Sequence, residues 1–65
     1  MVEVYRDYRI KVQDGGLYFR VYVTPMVPWH PILHCNHFEF RGTREEAVAE
    51  ARARVDKLLD YGLRN

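Results

Sequence analysis

The chain has 65 residues, with ten Lys/Arg against nine Asp/Glu and a net charge of +1, enough for one domain (residues 1–65). A lone cysteine excludes an internal disulfide, and the near-neutral balance commits the bulk chain neither to nucleic acid nor to an acidic mimic of it. No apolar run in MVEVYRDYRI reaches the length of a signal peptide or membrane span, so a cytoplasmic protein without membrane association is expected.

Taken in chain order, YRIKVQ alternates strictly. Tyr8, Ile10 and Val12 face one way, while Arg9, Lys11 and Gln13 face the other, the pattern of a half-buried strand. Asp14-Gly15-Gly16 follows. Asp-Gly tolerates the positive φ angles of a tight primed turn, so a hairpin is predicted. In the second strand, LYFRVYVT, Leu17, Phe19, Val21 and Val23 form the apolar face. Tyr18, Arg20, Tyr22 and Thr24 form the polar one.

PMVPWHP breaks the alternation. Its prolines cannot donate ladder hydrogen bonds, so residues 25–31 read as a loop. Trp29 has two readings there. In a domain short of core it folds back as a plug; otherwise it stands out as an apolar tip that proline stiffens for docking. ILHCNHFEFR then reads as a third strand. Ile32, His34, Asn36, Phe38 and Phe40 share one parity, and Leu33, Cys35, His37, Glu39 and Arg41 share the other; Phe38 and Phe40 turn inward, which sends His37, Glu39 and Arg41 to the open side.

GTREEAVAEARARVDKLLDYGL is a helix. Thr43 and Glu46 have the spacing of a capping box. Ala47, Val48, Ala51, Val55, Leu58 and Leu59 form one apolar stripe, and Gly62 with Leu63 supplies a stop. The expected fold is α+β: a three-stranded antiparallel β-meander with one C-terminal α-helix packed on one face (β-β-β-α). The helix covers one sheet face and leaves the other bare.

PWHPILHCNH gathers all three histidines and the cysteine, which raises the question of a metal or catalytic site. Cys35 and His37 share a parity, but His34 points the opposite way, and no CxxC or HExxH spacing is present. The cysteine also lacks an orienting third residue and an oxyanion cradle. No metal, no cofactor and no enzymatic activity are expected.

The bare face is the main functional feature. Its basic members Arg9, Lys11, Arg20 and Arg41 oppose Glu39 alone, with Tyr18, Tyr22 and His37 interleaved. Glu45, Glu50, Asp56 and Asp60 lie on the helix exterior, mixed with Arg52, Arg54 and Lys57, so the molecule is expected to be electrically two-sided. Tyrosine and arginine are frequent anchors of protein interfaces, and interleaved aromatics and cations also suit nucleic acid. Equally, tyrosines and arginines pair across ordinary solvated sheets.

Two stretches, YRIKVQDGGLYFRVYV and RGTREEAVAEARARVDKLL, resemble the N-terminal β-β-β-α unit of HicB-type antitoxins, in which three strands precede a T-x-E-E-A helix start. The resemblance implies a small inhibitory fold that masks a toxin or another partner. The layout is also similar to that of sheet-reading DNA-binding domains at the N-termini of some phage and transposon integrases.

The expected function is that of a non-enzymatic binding or inhibitor protein, antitoxin-like or a phage-encoded anti-defence protein of the anti-CRISPR type. It would occlude a protein partner, one that could belong to a nucleic-acid-processing complex. Arg9, Lys11, Tyr18, Arg20 and Tyr22 would dock, His37 and Arg41 would complete the surface, and Trp29 would anchor the rim. The alternatives are direct nucleic-acid binding by the same face and a homodimer through it.

Overall fold

In the computed structural model, which describes residues 2–33 and 36–60, the chain forms a four-stranded antiparallel sheet followed by one helix. The elements are β1 (Val2–Tyr5), β2 (Tyr8–Asp14), β3 (Phe19–Pro25), β4 (His37–Phe40) and α1 (Arg44–Asp60), with the strands in sequential order across the sheet. The α+β class and the helix on one face agree with the expectation. The strand count does not: there are four strands, not three, because β1 was not anticipated.

The reason lies in how β1 is held. Val2–Tyr5 pairs with Lys11–Tyr8, and Tyr5 opposite Tyr8 closes a two-residue turn. Arg6 and Asp7 both take positive φ, 49° and 65°, the conformation of a primed turn without its usual glycine. The residues that β1 directs toward the helix are Glu3 and Tyr5, while its valines, Val2 and Val4, face outward, so its alternation is inverted relative to the core. The Tyr5 ring packs against the core, and polar bonds fix the strand's outer edge. The Tyr5 hydroxyl donates to both Asp56 carboxylate oxygens at 2.9 and 3.0 Å. Arg6 reaches Asp56 at 2.7 Å and Asp60 at 3.1 Å. Arg52 Nε donates to Glu3 at 2.6 Å.

The β2–β3 hairpin forms as expected, but its loop is longer. Asp14 pairs with Phe19, leaving residues 15–18 as the connection. Gly16 N donates to Asp14 Oδ1 at 2.9 Å, and Gly15 N donates to the Tyr18 carbonyl at 2.8 Å. Gly16 sits at φ +93°, a region that suits glycine. The local bonds of Asp14 therefore replace the tight primed turn. As a consequence Leu17 lies in the loop, 87% exposed, instead of joining the core.

The expected strand over 32–41 is shortened to His37–Phe40, extended by one bond from Val23 N to the Asn36 carbonyl at 2.7 Å. Leu33 is buried and Ile32 is exposed, the reverse of the alternation. The preceding loop explains the reversal. The buried Tyr8 side chain donates its hydroxyl hydrogen to the Pro31 carbonyl, and Met26 N donates to the Asp7 carbonyl at 2.8 Å. These bonds fold the proline-rich segment over one end of the sheet and bring Leu33 into the core. His34 and Cys35, and with them the Cys35/His37 metal question, lie outside the described residues. So do Gly62 and Leu63, the expected helix stop.

The core consists of Tyr8, Ile10, Val12, Val21, Val23, Leu33, Ala47, Val48, Ala51 and Val55, with Tyr5, Phe19, Phe38, Phe40, Leu58 and Leu59 packed around it. Each fully buried valine or isoleucine contributes about 1.5–3 kcal/mol. The helix starts as its sequence requires. Glu46 N donates to Thr43 Oγ1 at 3.1 Å, and Thr43 N donates to Glu46 Oε1 at 2.9 Å. At Gly42, φ +144°, an added Cβ would meet the Glu46 carboxylate at 2.8 Å and the Phe40 ring at 2.9 Å. Glycine is therefore required for the chain to enter this cap.

A helix about 10 Å across cannot roof four strands, which span about 14 Å at about 4.8 Å per spacing. Arginines extend the roof. The Arg52 guanidinium lies 5.5 Å from the Tyr5 ring on β1, and that of Arg54 lies 3.8 Å from the Phe38 ring on β4. Arg54 is steadied by Glu50 at 2.9 Å. Much of the arginine on the helix thus acts as aliphatic and cation–π cover for the sheet edges.

Candidate interaction surface

Register decides what shares the uncovered sheet face. Directly paired residues point the same way. Three rows therefore cross the face: Val4, Arg9 and Thr24; then Val2, Lys11, Tyr22 and His37; then Gln13, Arg20 and Glu39. The structure brings together Arg9, Lys11, Arg20, Tyr22 and His37 from the expected set. Tyr18 belongs to the 15–18 loop instead of a strand, and Arg41 lies just beyond β4, exposed.

Trp29 lies in the loop between β3 and β4 and is 77% exposed. It does not plug the core; Leu33 and Tyr8 fill that end. Met26 and Ile32 of the same loop are exposed too. His30 contacts the Tyr8 ring at 5.4 Å and approaches the Asp7 carboxylate at 3.7 Å. Trp29 is thus carried on a loop tied to the sheet on both sides of it.

Two surface residues have no counterpart in the sequence reading. Val2 and Val4, 50% and 58% exposed, line the open face beside Lys11 and Arg9. The only sequence signals for them are the period-two alternation of VEVY and the tolerance of Asp7 for a left-handed turn.

The charges divide unevenly. On the helix side, Arg6 binds Asp56 and Asp60, Arg52 binds Glu3, and Arg54 binds Glu50. The acids expected to make the helix exterior negative are largely spent on these pairs. Hydrogen bonds from Arg6 and then Tyr5 hold the Asp56 carboxyl below the usual carboxylate range, and the same Asp56 bond raises the Tyr5 phenol. On the open face, Arg20 donates to the Tyr18 hydroxyl at 3.3 Å and lies 4.0 Å from Glu39. The Tyr18 bond, with a lesser one to Tyr22, strengthens its hold on its proton. Among the described residues the side chains of Arg9 and Lys11 make no hydrogen bond or ion pair.

The aromatic rings are engaged as well. Tyr22 stacks with His37 at 6.1 Å, and the Arg20 guanidinium lies 5.9 Å from the Tyr18 ring. A shallow depression of about 330 Å³ runs along Arg20, Tyr22, His37, Phe38 and Glu39. A wider notch of about 680 Å³ lies by Lys11, Gln13, Tyr18 and Arg44. Both are open, and both belong to or border the open face. Among the described residues, no group of three or more His, Cys, Asp or Glu is placed to hold a metal ion, and no helix is long and apolar enough to cross a membrane. Compared with known proteins, the chain matches no family model, no curated protein and no solved structure.

Proposed function

We propose that this protein is a non-enzymatic binding module that masks the surface of a protein partner with its uncovered sheet face. It would act by steric and electrostatic occlusion, in the manner of antitoxins or of phage anti-defence inhibitors. One observation carries the reading: Arg9 and Lys11 stand without a charge partner on an open face, while on the helix side Arg6, Arg52 and Arg54 are paired with Asp56, Asp60, Glu3 and Glu50. Unneutralised cations on a flat surface speed and orient the approach of an oppositely charged partner. Trp29 adds an exposed aromatic anchor on a tethered loop, the residue type most often dominant in protein interfaces.

Direct nucleic-acid binding is the second reading, favoured by the cations of the face. It fits less well because non-specific single-strand binders rely on free ring faces for base stacking. Here Tyr22 is stacked on His37 and Tyr18 is paired with Arg20. A homodimer through this face would bring two net-cationic surfaces together, with Glu39 the one acid beside Arg9, Lys11 and Arg20, an unfavourable like-charge contact.

Affinity capture from the encoding organism, followed by reconstitution with the purified partner and calorimetry, tests the proposal. Joint replacement of Arg9, Lys11, Arg20 and Tyr22 by alanine, which strips the whole open face, is expected to weaken the complex by about tenfold or more, and Lys57→Ala to leave it unchanged. A complex indifferent to the sheet variant but lost on Lys57→Ala would refute it. For nucleic acid, affinity must fall steeply with salt; absence of binding at low salt removes that reading.

A further inference from the structure

Resting on that reading, we infer that the docking centre is the β1–β2 quadrant of the sheet, and that it takes an acidic, extended protein segment with aliphatic flanks. In this quadrant Val4 stands opposite Arg9, and Val2 stands opposite Lys11. An aliphatic column and a cationic column therefore run side by side, about 5 Å apart. Along each column the two side chains are about 6.7 Å apart, the repeat of alternate residues on a strand.

A partner in extended conformation presents its own same-face side chains at that repeat. Carboxylates at positions i and i+2 meet Arg9 and Lys11 together, and aliphatic groups beside them cover Val2 and Val4. The other half of the face is less available: the Arg20 guanidinium is held by Tyr18 and Glu39, and the Tyr22 ring by His37. A phosphate backbone could match the cation spacing. It would leave the valines against a polar strand, and the Tyr22 ring on this face already stacks with His37 on one side. A second copy of the chain brings cations to cations. The acidic, apolar-flanked segment is the occupant that satisfies both columns.

The test is selection of a random 12-residue peptide library, displayed on phage, against the immobilised full chain. Synthetic versions of the enriched peptides are then titrated into ¹⁵N-labelled protein. The expected result is enrichment of Asp/Glu at i and i+2 next to Val, Ile or Leu, with the largest shifts at the amides of residues 2–4 and 9–11. Arg9→Glu with Lys11→Glu should weaken binding by about tenfold or more. Val2→Ser with Val4→Ser should do so by roughly tenfold. Both double variants change exposed positions, and circular dichroism verifies their fold.

Peptides that map to Arg20, Tyr22 and His37 without an acidic signature would overturn this inference and leave the masking function standing. Enriched peptides that map to the helix face would overturn both. A 20-nucleotide single strand that binds the quadrant more tightly than the selected peptides also sinks the assignment, as does a selection that yields no binder.

Discussion

Tyr8→Phe isolates the contact that holds the proline-rich loop. Tyr8 is fully buried, and its hydroxyl donates to the carbonyl of Pro31, across 23 positions of sequence. Phenylalanine keeps the ring and its packing against Ile10 and Leu33's end of the core, so no cavity term arises. What is lost is one hydrogen bond, about 1 kcal/mol net. Pro31 is only half-buried, so water can partly re-satisfy its carbonyl and the loss stays near that value. For a domain of this size it corresponds to about 4–8 °C in Tm. The assay is thermal unfolding followed by far-UV circular dichroism, joined to amide exchange over residues 27–33. Exchange in that loop should accelerate beyond what the global loss of stability explains.

The same variant carries a pH signature. Burial raises the Tyr8 phenol above its ordinary value, so the native state favours the neutral form. Stability from this source is fully present below the unfolded value of about 10, and it is lost as pH rises through the higher folded value. Tyr8→Phe should flatten the alkaline limb of the stability curve, leaving the part due to Tyr5, whose phenol is raised by Asp56. A variant with wild-type Tm, unchanged loop exchange and an unchanged alkaline limb would refute the assignment of the loop anchor to Tyr8.

Thr43→Ala removes one arm of the capping box and should cost about 1 kcal/mol, read as a lower urea midpoint at constant m-value. Gly42→Ala should destabilise the domain by more than 1 kcal/mol, since the new Cβ meets both the Glu46 carboxylate and the Phe40 ring at positive φ. Asp56→Asn should remove an acid-sensitive contribution. Arg6 and Tyr5 depress that carboxyl, so its stabilisation is present above about pH 4 and disappears as pH falls through the lower folded value. Acid titration of the wild type and variant should converge below that range. Trp29→Ser should alter stability by less than about 0.5 kcal/mol in thermal unfolding, because the ring is exposed; a larger loss would mean that it packs into the core.

Much of the central scaffold is legible from short-range pattern. The alternation of Tyr8, Ile10 and Val12 against Arg9 and Lys11 places both faces of β2 correctly, and Val21 and Val23 do the same for β3. Thr43 with Glu46, and the stripe Ala47, Val48, Ala51 and Val55, define the start and buried face of the helix. These features are local, since period and capping need only a few neighbouring residues to reveal them. From them the sequence alone determines a bare cationic sheet face with Arg9, Lys11 and Arg20 on it.

The tertiary structure decided the rest. β1 alternates the wrong way round for hydrophobic pattern: its valines face outward and its inward residues are Glu3 and Tyr5, whose partners Arg52 and Asp56 lie 49 and 51 positions away. Leu33 lies in the core and Trp29 outside it, on a loop whose Pro31 carbonyl accepts the distant Tyr8 hydroxyl. Which arginines roof the sheet and which cations remain unpaired also follows from such distant pairings. A charge reads the same in sequence whether it is neutralised or not, and only the folded chain brings its partner within reach.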